Sequence, residues 1–136
     1  MKQEIVTDYP PIYDEIARTF DLHPNDGIIF SWGNRIYNPM DSVIAPELIA
    51  HEAVHGERQG TSEDTIRAWW ADYVADSNFR LYEEILAHRA EYNWRLANGN
   101  RKQRRSALKQ TAGRLAAPLY GNMITPAAAR DILRTH

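Results

Sequence analysis

The 136-residue chain contains no cysteine. That absence excludes a disulfide framework and any thiolate metal site, so a bound metal has to be held by nitrogen and oxygen donors. Long hydrophobic runs are missing as well: no stretch approaches the roughly 18 apolar residues needed to span a bilayer. Met1-Lys2-Gln3-Glu4-Ile5 has no apolar core of the kind a secretory signal carries. The expected location is therefore cytoplasmic, with no membrane partner. Repeats, low-complexity tracts and linker-like stretches are absent, which makes one domain over residues 1–136 the expectation.

The composition is that of a globule, 43% hydrophobic and 25% charged. The net charge of −2 hides an asymmetry. Residues 1–64 hold 12 acids and 4 bases, whereas residues 65–136 hold 6 acids and 12 bases. The basic excess gathers in Arg101, Lys102, Arg104, Arg105, Lys109 and Arg114. Such a cluster could meet nucleic acid or an acidic partner, but no nucleic-acid module accompanies it, and a solvated helix face is the expected reading. Nucleic acid is accordingly not an expected partner.

Local patterns predict a mainly helical α+β chain. Pro10-Pro11 opens a short helix through Ile12, Ile16 and Phe20. Residues 28–32 and 35–37 read as two strands joined by Gly33-Asn34, a two-residue hairpin signal. Pro46 suits a first helical position, and a helix is predicted from Glu47 to Arg58 with Gly60 as its stop. Its apolar positions lie nearly all round, which predicts a buried helix. Thr61, with Asp64 three residues on, marks the start of the next helix, whose Ile66, Trp69, Trp70, Tyr73 and Val74 follow helical spacing. Helices over about 79–97, 101–117 and 126–134 complete the chain.

The most informative segment is His51-Glu52-Ala53-Val54-His55. Imidazoles at i and i+4 stack on one helix face and can reach one metal ion. Glu52 projects about 100° round the helix from His51, beside the metal and free to act as general base on a water. Two histidines do not complete a catalytic zinc site, which uses three protein ligands and leaves a fourth position open. The third ligand is then His23, His88 or His136, or a downstream carboxylate among Glu63, Asp64, Asp72, Asp76, Glu83, Glu84 and Glu91. Glu84 shares a partly apolar, inward face with Leu81, His88 and Glu91 and is the favoured ligand. Glu83, placed toward Tyr82 and the outer side, is its nearest rival. Glu91 reads as a supporting acid behind the ligands, and His88, Tyr73, Tyr82, Tyr92 and Arg89 are all candidates to polarise an oxyanion.

His51-Glu52-x-x-His55 followed by Glu84-x-x-Ala87 resembles the gluzincins, and the chain from about 28 to 133 is similar to very small phage-type zincin-like metallopeptidases. The shared segments are residues 48–55, 79–81, 89–92 and 118–124, with His88 standing where that group often has Asp. The resemblance implies a zincin-like fold with a small antiparallel hairpin packed on the motif helix. It implies a Zn2+-dependent endopeptidase with Glu52 as general base, His51, His55 and Glu84 as ligands, and a peptide or protein as substrate. A phage origin would place it in the host cytoplasm or the virion. By the same resemblance, strand Arg35-Ile36-Tyr37 would pair with substrate backbone. The competing expectation is a non-catalytic module of the same fold that binds a partner or assists assembly, through the basic helix if at all.

Overall fold

A computed structural model of the chain describes residues 3–135. The chain runs β1 (Glu4–Val6), α1 (Tyr13–Phe20), β2 (Phe30–Trp32), β3 (Arg35–Tyr37), α2 (Pro46–Gln59), α3 (Glu63–Ala75), α4 (Ser77–Asn98), α5 (Arg101–Leu115), a 3-10 turn at Pro118–Tyr120 and α6 (Pro126–Arg134). It is mainly helical with one small sheet. Among the described residues no helix is long and apolar enough to cross a membrane.

The β2–β3 hairpin forms where Gly33-Asn34 predicted it. Gly33 takes φ 61, a conformation that suits the first central position of a two-residue hairpin turn. The sheet differs from an antiparallel hairpin, however. Its order is β1-β3-β2, with β1 parallel to β3 in the register Ile5↔Ile36 and β2 antiparallel in the register Ser31↔Ile36. Arg35–Tyr37 is thus the central strand, hydrogen-bonded on both sides. It cannot accept a substrate strand, and the expectation that it would is corrected. The sheet is mixed because β1, which carries only two apolar residues and no turn signal, adds to it from a distance along the chain.

The motif helix α2 begins at Pro46, where the missing N–H costs nothing. Its burial reverses the expectation from composition. His51, Glu52, His55, Gly56 and Gln59 are the buried residues, while Leu48, Ile49, Ala53 and Val54 are only partly covered. The polar stripe faces inward because α4 presents a second polar stripe to it: Glu83, Glu84, His88 and Glu91 are buried along α4. Gly56 lets α2 approach the hairpin, since a Cβ there would lie 2.0 Å from the Gly33 carbonyl oxygen. Gln59 fastens the contact, accepting from Gly33 N–H at 2.7 Å and donating to the Ser31 carbonyl at 3.2 Å.

α3 is capped by Ser62, one residue after the predicted Thr61, with its hydroxyl accepting from Thr65 N–H. Ile66, Trp69, Trp70 and Tyr73 join Ile16, Phe30, Trp32 and Tyr37 in the main core, as their spacing predicted. Asp76 alone separates α3 from α4 and caps the latter. A second apolar cluster, built on Ala112, Leu115, Ala129 and Leu133, docks α5 and α6 against the Leu81, Ile85 and Tyr92 side of α4. α4 therefore has two working faces, a polar one toward α2 and an apolar one toward the C-terminal helices.

Candidate metal centre

His51 and His55 leave α2 on its inward face and meet Glu84 from α4. His51 Nε2 lies 3.4 Å from Glu84 Oε1, and His55 Nε2 lies 3.0 Å from Glu84 Oε2. The donor atoms of the three buried side chains lie within 4.8 Å of one another, a group that could hold a metal ion. Donors bound at about 2.0–2.1 Å in a tetrahedral site are separated by about 3.3 Å, close to both distances.

The polar accounting agrees with a cation. Glu84 Oε2 accepts from the Tyr73 hydroxyl at 2.6 Å, whereas the buried Oε1 has no hydrogen-bond partner. A buried carboxylate oxygen without a donor is costly, and a cation beside both imidazole nitrogens would satisfy it. Burial pushes the Glu84 carboxyl up, but His55 and His51 outweigh it and hold the group well below the ordinary carboxylate range. Burial likewise pulls His51 down, yet its contacts with Glu84, Glu91 and Glu52 raise it to about 10. The pocket is thus tuned to hold positive charge.

Supporting groups set the orientation of each ligand. His51 Nδ1 lies 3.1 Å from Glu91 Oε1, so the carboxylate behind it fixes the ring with Nε2 facing Glu84. His55 packs against Trp69 at 5.2 Å between ring centroids and Tyr73 at 6.3 Å. Burial and the Glu84 charge push the Tyr73 hydroxyl well above its usual range, so it remains a donor.

Glu52 stands beside the ligands rather than among them, with Oε2 3.5 Å from His51 Nε2. Its other oxygen accepts from the Ser31 hydroxyl at 2.6 Å. Glu52 lines a cavity of about 210 Å3 that is also lined by His51, His55, Glu84 and Tyr120.

A second grouping, His51 with His88 and Glu91, also brings donor atoms together. It is set against a cation: guanidinium nitrogens of Arg95 and Arg114 lie 3.7 and 3.6 Å from Glu91 Oε2. His88 directs Nδ1 to the Glu84 carbonyl at 2.7 Å, and burial beside His51 lowers its pKa to about 4, so it stays neutral. It packs behind His51 with 4.5 Å between the rings.

The other sequence candidates separate. Glu83 was expected outside but is fully buried, accepting from Arg58 Nε at 2.7 Å and Trp69 Nε1 at 2.8 Å. It therefore ties α2 and α3 to α4 and does not join the group of His51, His55 and Glu84. His23, Asp64 and Asp72 are exposed, Glu63 accepts from Trp32 Nε1, and Asp76 caps α4. His136 lies outside the described residues. Of the possible oxyanion donors, Tyr82 is exposed, Tyr92 belongs to the second apolar cluster, and Arg89 donates to the Ile132 carbonyl. Tyr73, whose hydroxyl donates to Glu84, lines the cavity together with Tyr120, which sequence reasoning missed. Ser31 and Arg114 were missed as cavity residues for the same reason: nothing local in the sequence relates them to α2. Comparison with protein-family models, curated proteins and solved structures yields no match.

Proposed function

We propose that this protein is a zinc-dependent peptidase of the zincin type, hydrolysing peptide bonds with Glu52 as general base. The observation that carries the reading is the position of Glu52. A buried metal site built for structure alone has no use for a carboxylate held beside it, facing a cavity and not ligating. Two imidazoles and one carboxylate are a donor set that catalytic zinc shares with mononuclear iron(II), and the His-Glu-x-x-His spacing with Glu52 beside the site favours zinc.

Held by His51, His55 and Glu84, a zinc ion would supply Lewis acidity toward an amide carbonyl and would lower the pKa of a water to about 7. Glu52 takes a proton from that water as its oxygen attacks the carbonyl carbon. It then delivers the proton to the departing nitrogen as the C–N bond breaks, leaving a carboxylic acid and an amine. Ser31 keeps Glu52 aimed by its hydrogen bond. Tyr120, whose hydroxyl burial pushes well above its ordinary range, stays protonated on the cavity wall and serves as donor to the developing oxyanion.

With β3 enclosed, the backbone available to a substrate lies beside β2. Gln59 and Trp70 occupy the Ser31 carbonyl, so an extended peptide would pair along Ile28 and Ile29, both of which border the cavity.

Zinc-loaded protein incubated with a casein-derived peptide mixture, followed by mass spectrometry of the products, tests this directly. Cleavage is expected from the native sequence, and Glu52→Gln is expected to retain zinc and lose cleavage. Equal cleavage by both would remove Glu52 from the chemistry.

A further inference from the structure

The cavity beside the candidate metal centre has a mixed lining: Ile16, Phe20, Ile28 and Trp70 are apolar, and Glu52 and Glu84 are acidic. Arg114, near the C-terminal end of α5, is the one Lys or Arg side chain on its wall among the described residues. Its side chain is 39% exposed and makes no hydrogen bond with the described residues.

Among the described residues Glu91 is the one acid within 4 Å of the Arg114 guanidinium, and it is shared. Glu91 is fully buried, and its Oε1 belongs to His51. Its Oε2 lies between two guanidiniums, 3.6 Å from Arg114 Nη1 and 3.7 Å from Arg95 Nη2. Both distances exceed hydrogen-bonding range. Arg95 makes a hydrogen bond elsewhere, donating to Gln110 Oε1 at 2.6 Å, and is only 20% exposed. One carboxylate facing two cations leaves positive charge over, and of the two guanidiniums Arg114 is the one that lines the cavity. An arginine fork in a partly desolvated cleft is suited to a carboxylate, which it can bind through two parallel hydrogen bonds.

We propose that Arg114 anchors a carboxylate of the substrate, so that the peptides this protein takes carry a free C-terminus or an Asp or Glu side chain close to the bond that is cut. This rests on the peptidase reading above. The apolar lining residues would then hold a bulky apolar residue of the same peptide.

The test uses three fluorogenic peptides of one apolar-rich sequence: the free acid, the C-terminal amide, and the amide with a Glu placed on the leaving-group side. kcat/KM is measured with the zinc-loaded full chain and with Arg114→Ala and Arg114→Lys. At least about tenfold preference for a carboxylate-bearing peptide over the plain amide is expected. Arg114→Ala should bring that ratio close to one, with Arg114→Lys between. Whichever of the free acid and the Glu peptide is preferred identifies the source of the carboxylate. A role only in holding Glu91 and His51 would lower turnover of all three peptides together and leave the ratio intact, overturning the proposal. So would a ratio near one in the native sequence. If no peptide is cleaved, the peptidase reading fails, and binding of the same peptides to Glu52→Gln protein by fluorescence anisotropy decides the anchor separately. Carboxylate-dependent binding that disappears when Arg114→Ala is added sustains it, and its absence ends it.

Discussion

Ser31 Oγ lies 2.6 Å from Glu52 Oε1 and 3.0 Å from the backbone oxygen of the same residue, joining the edge strand β2 to the motif helix. Both side chains are buried, so the carboxylate cannot swing freely away from the ligands. Ser31→Ala is expected to lower kcat about 10- to 100-fold, the worth of one hydrogen bond to a charged group, with zinc content unchanged and partial recovery in Ser31→Thr. Steady-state kinetics with metal analysis checks this, and an unaltered kcat would mean that Glu52 is held by other contacts.

Glu91 supports the candidate metal centre from behind His51, with its Oε1 3.1 Å from Nδ1 of the ring. Glu91→Gln keeps the shape but removes the charge that orients the ring, and zinc affinity is expected to fall about 10- to 100-fold. Competition against a chromophoric chelator reads that change. An unchanged affinity would show that α2 alone sets the His51 ring.

Gly56→Ala separates helix propensity from packing. In a free helix this change stabilises by about 1 kcal/mol. Here the new methyl would lie 2.0 Å from Gly33 O, and neither backbone segment can move without undoing the Gln59 bridge. Destabilisation of about 3 kcal/mol is expected in urea unfolding. A gain in stability would mean that α2 and the hairpin do not pack this closely.

Without metal, two histidines give stability opposite slopes on either side of pH 6.5. His51 is raised from 6.5 to about 10, so the folded state holds its proton when the unfolded state has lost it. Its contribution is full below pH 6.5 and fades as pH rises toward about 10. His88 is lowered from 6.5 to about 4, so its contribution is full above pH 6.5 and is lost as pH falls toward about 4. Thermal unfolding in EDTA should therefore show a maximum near pH 6.5. Zinc reverses the alkaline limb, because binding requires His51 to shed its proton. A stability that climbs steadily to pH 9 in EDTA would contradict the His51 environment.

The α2 motif was legible because its chemistry is encoded in i, i+4 spacing, and Glu84 followed from the periodicity of α4. The aromatic stripe of α3 and the Gly33-Asn34 turn were legible for the same local reason. What could not be read depends on contacts between distant segments. β1 pairs in parallel with β3 across nearly thirty residues and leaves no turn signature. Glu83 looked outward only because Arg58 and Trp69, which bury and neutralise it, come from other helices. The half-covered apolar side of α2 was not legible for a related reason: a second polar helix, α4, takes up its inward face. Tyr120 and Arg114 reach the cavity from the C-terminal helices, and no spacing in the chain ties them to residue 51.

X-ray absorption at the zinc edge on protein loaded with one equivalent of Zn2+ bears most directly on the central claim. The expected spectrum has two imidazole nitrogens and carboxylate oxygen at about 2.0–2.1 Å with one water, and Glu84→Ala is expected to lose the bound ion. Failure to bind one equivalent, a fourth protein ligand closing the site, or full zinc occupancy in Glu84→Ala would contradict it.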